Sequence, residues 1–339
     1  MTAAKKSRKT VKSVWPEFMR YPWARALAAL VLVLAIGMVF NPEGVFYRWG
    51  THRDMFRQIA VPGILACGMT LVIIAGGIDL AVGSVLGFVA VLFSLLTLHL
   101  GWSGWAAVPV CIAAGLAAGT LSGSVISVFG VQPFVATLAM MVFARGLAKY
   151  LSGGQKISQA VQTATGDYKY VDLPRAMAFL DSKILGENIA VVTLVLLLSL
   201  GICHALLNHL RWGRYFYSVG GNEEASRLSG VPVAGTKLAA YALSGLFAAV
   251  AGICQAAQEH QGDPEAGMGY ELTAIAIVVI GGTSLAGGKG STGLTLLGAL
   301  IIGYLEKILS VNAVGEASRL MLTGAIIVGA VLFQKTRSR

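Results

Sequence analysis

Polar and apolar positions along this chain fall into long blocks, without a sustained helical or strand period. Apolar runs occupy residues near 24–40, 58–75, 85–100, 106–129, 133–151, 189–208, 238–258, 272–282, 292–309 and 319–333. Most approach the ~20 residues that carry an α-helix across a bilayer. The pattern predicts an all-α, polytopic membrane helical bundle of about ten transmembrane helices. The run at 272–282 is too short to cross by itself. It is expected to be broken within the membrane or to begin further upstream.

The polar blocks between the runs set the expected sidedness. Lys5, Lys6, Arg8, Lys9, Lys12, Arg20 and Arg25 gather at the start of the chain, and Lys335, Arg337 and Arg339 follow the last run. Basic flanks mark the cytoplasmic side, so both termini are expected to be cytoplasmic. An even number of spans agrees with that. The stretch 152–188, with four basic and four acidic residues, is then external. So is 259–271, with Glu259, Asp263, Glu265, Glu271 and no Lys or Arg. The stretch 211–237 is internal and carries Arg211, Arg214, Arg227 and Lys237 against Glu223 and Glu224. Arg48, Arg53 and Arg57 fall in an expected outer loop and run against the rule. Three segments follow: a basic cytoplasmic tail at 1–23, a membrane domain at 24–333 containing the cytoplasmic loop 211–237, and a short cytoplasmic tail at 334–339.

Composition supports this reading. Of 339 residues, 56% are hydrophobic and 12% charged, with a mean hydropathy of +0.72. That is about half the charge of a typical soluble domain. The net charge of +10 sits beside the spans and predicts a lipid surface, with no nucleic-acid partner. The first run ends at Asn41-Pro42 without a small-residue cleavage pattern and is expected to be retained. Cys67, Cys111, Cys203 and Cys254 lie inside apolar runs and read as packing residues.

Catalytic patterns are sparse, and no cofactor or metal is expected. The five histidines are scattered, and neither HExxH nor GxSxG occurs. TSLAGGKGS at 283–291 resembles a phosphate loop but fails the GxxxxGK[ST] pattern, because Thr283 takes the first glycine's place and Gly290 follows Lys289. The chain is therefore not expected to be an enzyme; any ATP it uses must bind elsewhere.

Three features remain. GGIDLAVG at 76–83 and GGTSLAGG at 281–288 share five of eight positions. Each links two apolar runs, as interrupted helices do beside a transport route. Gly76, Gly77, Asp79, Gly281, Gly282 and Ser284 are therefore candidates for the helix breaks or the translocation path. Asp79 lies between apolar runs, where a carboxylate requires a partner or a function. It either caps the following helix or lines the path. Arg145, near the expected outer end of its run, reads as snorkelling. The segment Gly221, Asn222, Glu223, Glu224, Ala225, Arg227 and Leu228 predicts a short helix, capped by Asn222 and ending near Gly230. On the residues alone it is either a grip for a cytoplasmic partner or an ordinary loop helix.

Taken together and in order, five blocks resemble the ribose-type permease family of bacterial ABC importers. They are GMTLVIIAGGIDLAVGS (68–84), VQPFVATLAMMVFARGLA (131–148), GRYFYSVGGNEEASRLSGV (213–231), YALSGLFAAVAGI (241–253) and ELTAIAIVVIGGTSLAGGKGS (271–291). The stretch 310–320 departs from the family pattern. The resemblance implies a multi-pass permease of the bacterial inner membrane, importing a small, ribose-like sugar. The implied partners are two cytoplasmic ABC ATPase subunits, a periplasmic sugar-binding protein and a second permease, identical or related. It also makes 221–228 the segment that couples to the ATPase. The alternative is an ion-coupled secondary transporter of a small solute, which would place more ion ligands mid-membrane than Asp79 alone.

Overall fold

The computed structural model describes residues 21–162, 167–315 and scattered positions from 317 to 325. The basic segment 1–20, most of the tenth apolar run and the tail 334–339 lie outside the described residues. The helices are α1 (Pro22–Val39), α2 (Trp49–Ile74), α3 (Val82–Ser94, prolonged by a π-turn to His99), α4 (Gly104–Val128), α5 (Pro133–Ser152), α6 (Arg175–Asp181), α7 (Val191–Asn208), α8 (Arg211–Gly221), α9 (Glu223–Leu228), α10 (Val233–Glu259), α11 (Tyr270–Gly281) and α12 (Thr292–Val311). Among the described residues, eight are long and apolar enough to cross a membrane; α11 is a shorter apolar helix. Two small antiparallel hairpins pair β1 (Ala160–Gln162) with β2 (Tyr168–Tyr170), and β3 (Lys183–Ile184) with β4 (Ile189–Ala190).

Helices α2, α3 and α10 form the core. Every residue from Ile59 to Ile74 is buried, as is almost all of α3. A helix apolar on all sides belongs inside a bundle or against lipid, and burial assigns these three to the inside. Lipid tails are as apolar as leucine, so association rests on close van der Waals packing. Helix α4 meets α10 through small residues: a Cβ on Gly119 would lie 3.0 Å from Gly245 Cα, and one on Gly115 would meet Ala249 Cβ and Gly245 O. Larger side chains at this crossing would push the two helices apart.

Helix α2 begins at Trp49, nine residues before its apolar run. Its added turns carry Arg53 and Arg57, two of the three arginines that ran against the basic-inside expectation, and both are partnered. Arg57 pairs with Asp181, which also meets His260 Nε2 at 3.0 Å, and Arg53 donates to Glu187 O at 2.9 Å. The described part of the 153–190 segment thus folds over this end of the bundle.

The short eighth run resolves differently from a simple span. After α10, the chain turns back into the bundle and runs antiparallel to α3. Gly262 packs on Ala90 and Val91, Ala266 on Gly87 and Gly267 on Gly83. Helix α11 therefore starts inside the bundle and is a half-helix. Gly262 also pairs with Ile157 through two backbone bonds of 2.8 and 2.9 Å, tying the re-entrant segment to the outer loop. A further strap joins Lys156 to Asp263 at 2.9 Å, and the hydrogen bond holds this lysine above its usual pKa.

Candidate functional site

The polar segment after α7 folds as two consecutive helices at the end of the bundle away from the 153–190 loop. In α8, Gly213, Phe216 and Val219 are buried while Arg211, Trp212 and Arg214 are exposed. Such a one-sided helix lies along the bundle end. Tyr217 Oη donates to Gly290 O at 2.9 Å. Ser218 and Ser226 hydroxyls meet at 2.7 Å, joining α8 to α9.

Helix α9 forms as the sequence predicts. Asn222 is extended and its Oδ1 accepts from Ala225 N at 2.9 Å, which satisfies one free amide of the first turn. Glu223 and Glu224 stand at the positive end of the helix. Glu223 accepts from Lys237 at 2.6 Å and Arg227 at 3.4 Å, and Arg227 also faces Glu224 at 3.7 Å. These partly exposed pairs set direction more than stability. The helix stops at Gly230, whose φ of +80° suits glycine, with Val231 N bonding back to Ser226 O at 3.0 Å. Ser226 faces inward, while Gly221, Glu224, Ala225, Arg227 and Leu228 face solvent. Leu228 is 81% exposed.

Both glycine-rich repeats converge on the back of this helical pair. Gly288 N donates to Ile74 O at 2.9 Å, joining the second repeat to the end of α2. A Cβ on Gly287 would lie 2.6 Å from Gly220 O and 3.0 Å from Gly76 Cα. A Cβ on Gly220 would collide with Ile74 O and come within 2.7 Å of Gly288 N. Three backbones touch there: the first repeat, the second repeat and α8. Gly77 lies against the Tyr241 hydroxyl, Gly281 is packed on Leu294 O, and Gly282 ends α11 with φ +111°. Ser284 shapes the following turn, its carbonyl accepting from Gly287 N at 3.1 Å and its amide donating to Lys289 O at 2.9 Å. Gly76, Gly77, Gly282 and Ser284 thus lie in the non-helical links between apolar helices, and Gly281 is the last residue of α11.

Asp79 is 3% exposed. Its Oδ1 accepts from Ala81 N at 3.0 Å, and its Oδ2 accepts from Ser244 Oγ at 2.7 Å. The carboxylate closes the turn leading into α3 and anchors it to α10. Ser244 lies roughly 16 Å along α10 from Val233, so α3 starts inside the bundle, as α11 does. Asp79 is not the cap of α3, whose N-cap position is Ala81 without a side-chain cap bond; it closes the turn ahead of the helix and ties it to α10.

Arg145 differs from the sequence expectation. Its Nη1 donates to Pro264 O and to Ala266 O, at 2.5 and 2.8 Å. The guanidinium does not snorkel outward; it holds the re-entrant segment against α5. Gly87 leaves the space, since a Cβ there would lie 2.8 Å from Arg145 Nη1. Beside it opens a pocket of about 470 Å³, lined by Ser84, Val142, Lys149, Glu265, Met268 and Glu271 among others. Sequence reasoning missed this site because its residues are far apart in the chain; the acidic content of 259–271 was the one available signal.

Comparison with known proteins agrees with this architecture. Residues 53–331 match the family described as "Branched-chain amino acid transport system / permease component". The chain belongs to this permease family. It is 38% identical over 311 residues to the ribose import permease protein RbsC of Escherichia coli K12, covering 91% of this chain and 92% of the relative. It is 32% identical over 319 residues to the fructose import permease protein FruF of Bifidobacterium longum, covering 91% and 86%. The xylose transport system permease protein XylH of Escherichia coli K12 is 30% identical over 361 residues, covering 92% of each. No solved structure matches the chain.

Proposed function

We propose that this chain is the membrane-spanning subunit of an ATP-driven importer for a small sugar in the bacterial inner membrane. Its relatives carry ribose, fructose or xylose in their names, which favours a sugar over the amino acid of the family description. The observation that carries the ATP-driven reading is α9 itself. A capped helix presents Leu228, Arg227 and Glu224 outward and is backed by the junction of two helix breaks. The partners are two cytoplasmic ATPase subunits gripping α9, a periplasmic binding protein at the 153–190 end and a second permease copy.

The mechanism follows from that arrangement. ATP binding moves the ATPases and with them α9. The Ser218–Ser226 and Tyr217–Gly290 bonds pass the displacement to α8 and the second repeat. At Gly220 the load reaches both breaks together, so α3 and the half-helix α11 tilt in concert. Alternating access results without any nucleotide chemistry on this chain. Leu228→Glu should abolish co-purification of the ATPase subunit while leaving the melting temperature of the permease unchanged. Retained ATPase binding, or sugar uptake that collapses with an uncoupler and continues without ATP, would overturn the reading.

A further inference from the structure

The pocket beside Arg145 combines three properties that a lipid-facing surface lacks. It lies within the span of α5, nearer its outer end: Arg145 stands roughly 18 Å along α5 from Pro133 and roughly 10 Å from Ser152, with Lys149 in the last turn, and Ser84 is on the first turn of α3. It is charged, with Arg145, Lys149, Glu265 and Glu271 around one concavity. Lys149 and Glu265 meet at 2.6 Å, yet each remains half exposed. Ionisable groups at membrane depth face protein or water and not acyl chains. The surrounding face is apolar and open: Phe134, Val142 and Phe143 of α5 and Met268 and Leu272 of α11 are all more than half exposed. The cations and carboxylates share one face, so a two-fold contact with the same face sets each protomer's cations against the other's carboxylates.

The chemistry inside fits a polyol. At about 470 Å³, the cavity lies within the range of small-molecule sites. Carboxylates accept from sugar hydroxyls and a guanidinium donates to them; Arg145 keeps its Nε and Nη2 N–H groups, since those of Nη1 are given to Pro264 O and Ala266 O. Met268 and Val142 offer apolar walls to the C–H faces of a sugar ring. We propose that the pocket of Ser84, Arg145, Glu265, Met268 and Glu271 is a transit subsite for a monosaccharide, roofed in the assembly by the same face of a second copy. The proposal rests on the sugar-import reading and gives it a place in the molecule. Because the binding protein supplies affinity, this subsite need only replace the water of a passing sugar.

Cysteine labelling tests it. Cys67, Cys111, Cys203 and Cys254 are buried, which keeps background labelling low. The full transporter carrying Met268→Cys is placed in proteoliposomes with its ATPase and binding protein. A charged, water-soluble thiosulfonate should label it, and D-ribose, D-xylose or D-fructose should slow labelling roughly tenfold during ATP turnover, while L-leucine does not. Phe143→Cys should cross-link two copies through a short bifunctional reagent. Labelling by a lipid-soluble maleimide alone would return the face to the acyl chains. Equal rates with and without sugar, protection by L-leucine in place of sugar, or no cross-link would each overturn the proposal. Wild-type vesicles separate the two claims: sugar uptake without protection sinks the pocket alone, whereas no ATP-dependent uptake of any of the three sugars sinks the import reading and the pocket with it.

Discussion

Gly220 stands where two residue-level effects oppose each other. Replacing an interior helical glycine by alanine favours the helix by about 1 kcal/mol. At Gly220 the added Cβ would meet Ile74 O and Gly288 N, and overpacking costs typically about 1–3 kcal/mol. Packing wins, so Gly220→Ala should lower the melting temperature and weaken ATP-driven uptake. Gly201→Ala on α7, with nothing within 4 Å of its Cβ, should do the reverse and stabilise slightly. Equal effects at the two positions in a thermal unfolding series would remove the junction from the mechanism. Asp79 and Ser244 offer a second residue-scale test. Each single alanine variant should cost about 1–3 kcal/mol, because it strands a buried polar partner. The double variant should cost less than the sum; strict additivity in detergent unfolding would mean that the 2.7 Å bond is not a shared interaction.

At the scale of elements, α9 and the re-entrant segment are held by different means. With six residues, α9 is far too short to persist alone in water. It depends on its Asn222 cap, its Gly230 stop and the Ser218–Ser226 bond. Asn222→Ala should remove about 1 kcal/mol and reduce ATPase capture, and Asn222→Asp should restore both; a pull-down that does not distinguish the two would sink the cap's role. The segment 262–269 has no regular structure and owes its place to Arg145, Lys149 and Lys156. Arg145→Met should therefore speed backbone hydrogen exchange across 262–269 while leaving α2 protected. Unchanged exchange there would show that packing on Gly83 and Gly87 is sufficient.

For the whole molecule, the testable quantity is which end faces which compartment. The α8–α9 end should be cytoplasmic and the 153–190 end external. An impermeant thiol reagent should label Ser229→Cys only in inside-out vesicles and Lys169→Cys only in right-side-out ones. The reverse pattern would invert the topology, and with it the identity of the partner that grips α9. The two ends also differ in construction. One is closed by ion pairs and small hairpins over α2 and α10. The other is closed by glycine backbones in contact, which suits a joint that transmits motion.

Much of this was legible in the order of residues, and the reason is physical. Bilayer thickness converts hydropathy into span length directly, so eight of the runs appear as membrane-long helices near their expected places. Capping is equally local: Asn222, the acidic pair and Gly230 specify α9 within ten residues, and the structure contains that helix. The short run at 272–282 marked an interruption but not its form. That α11 is a half-helix reached by a re-entrant segment depends on Gly262, Ala266 and Gly267 finding α3, a match between segments far apart in the chain. Arg145 was unreadable for the same reason, because its partners are two backbone carbonyls, which leave no trace in side-chain identity. The sequence by itself determined the solvent, eight of the spans and the short capped helix, since each depends on neighbours in the chain. Only the tertiary structure decided that both glycine repeats meet at Gly220 and that a charged pocket opens beside Arg145, because those contacts exist only once distant backbones are packed together.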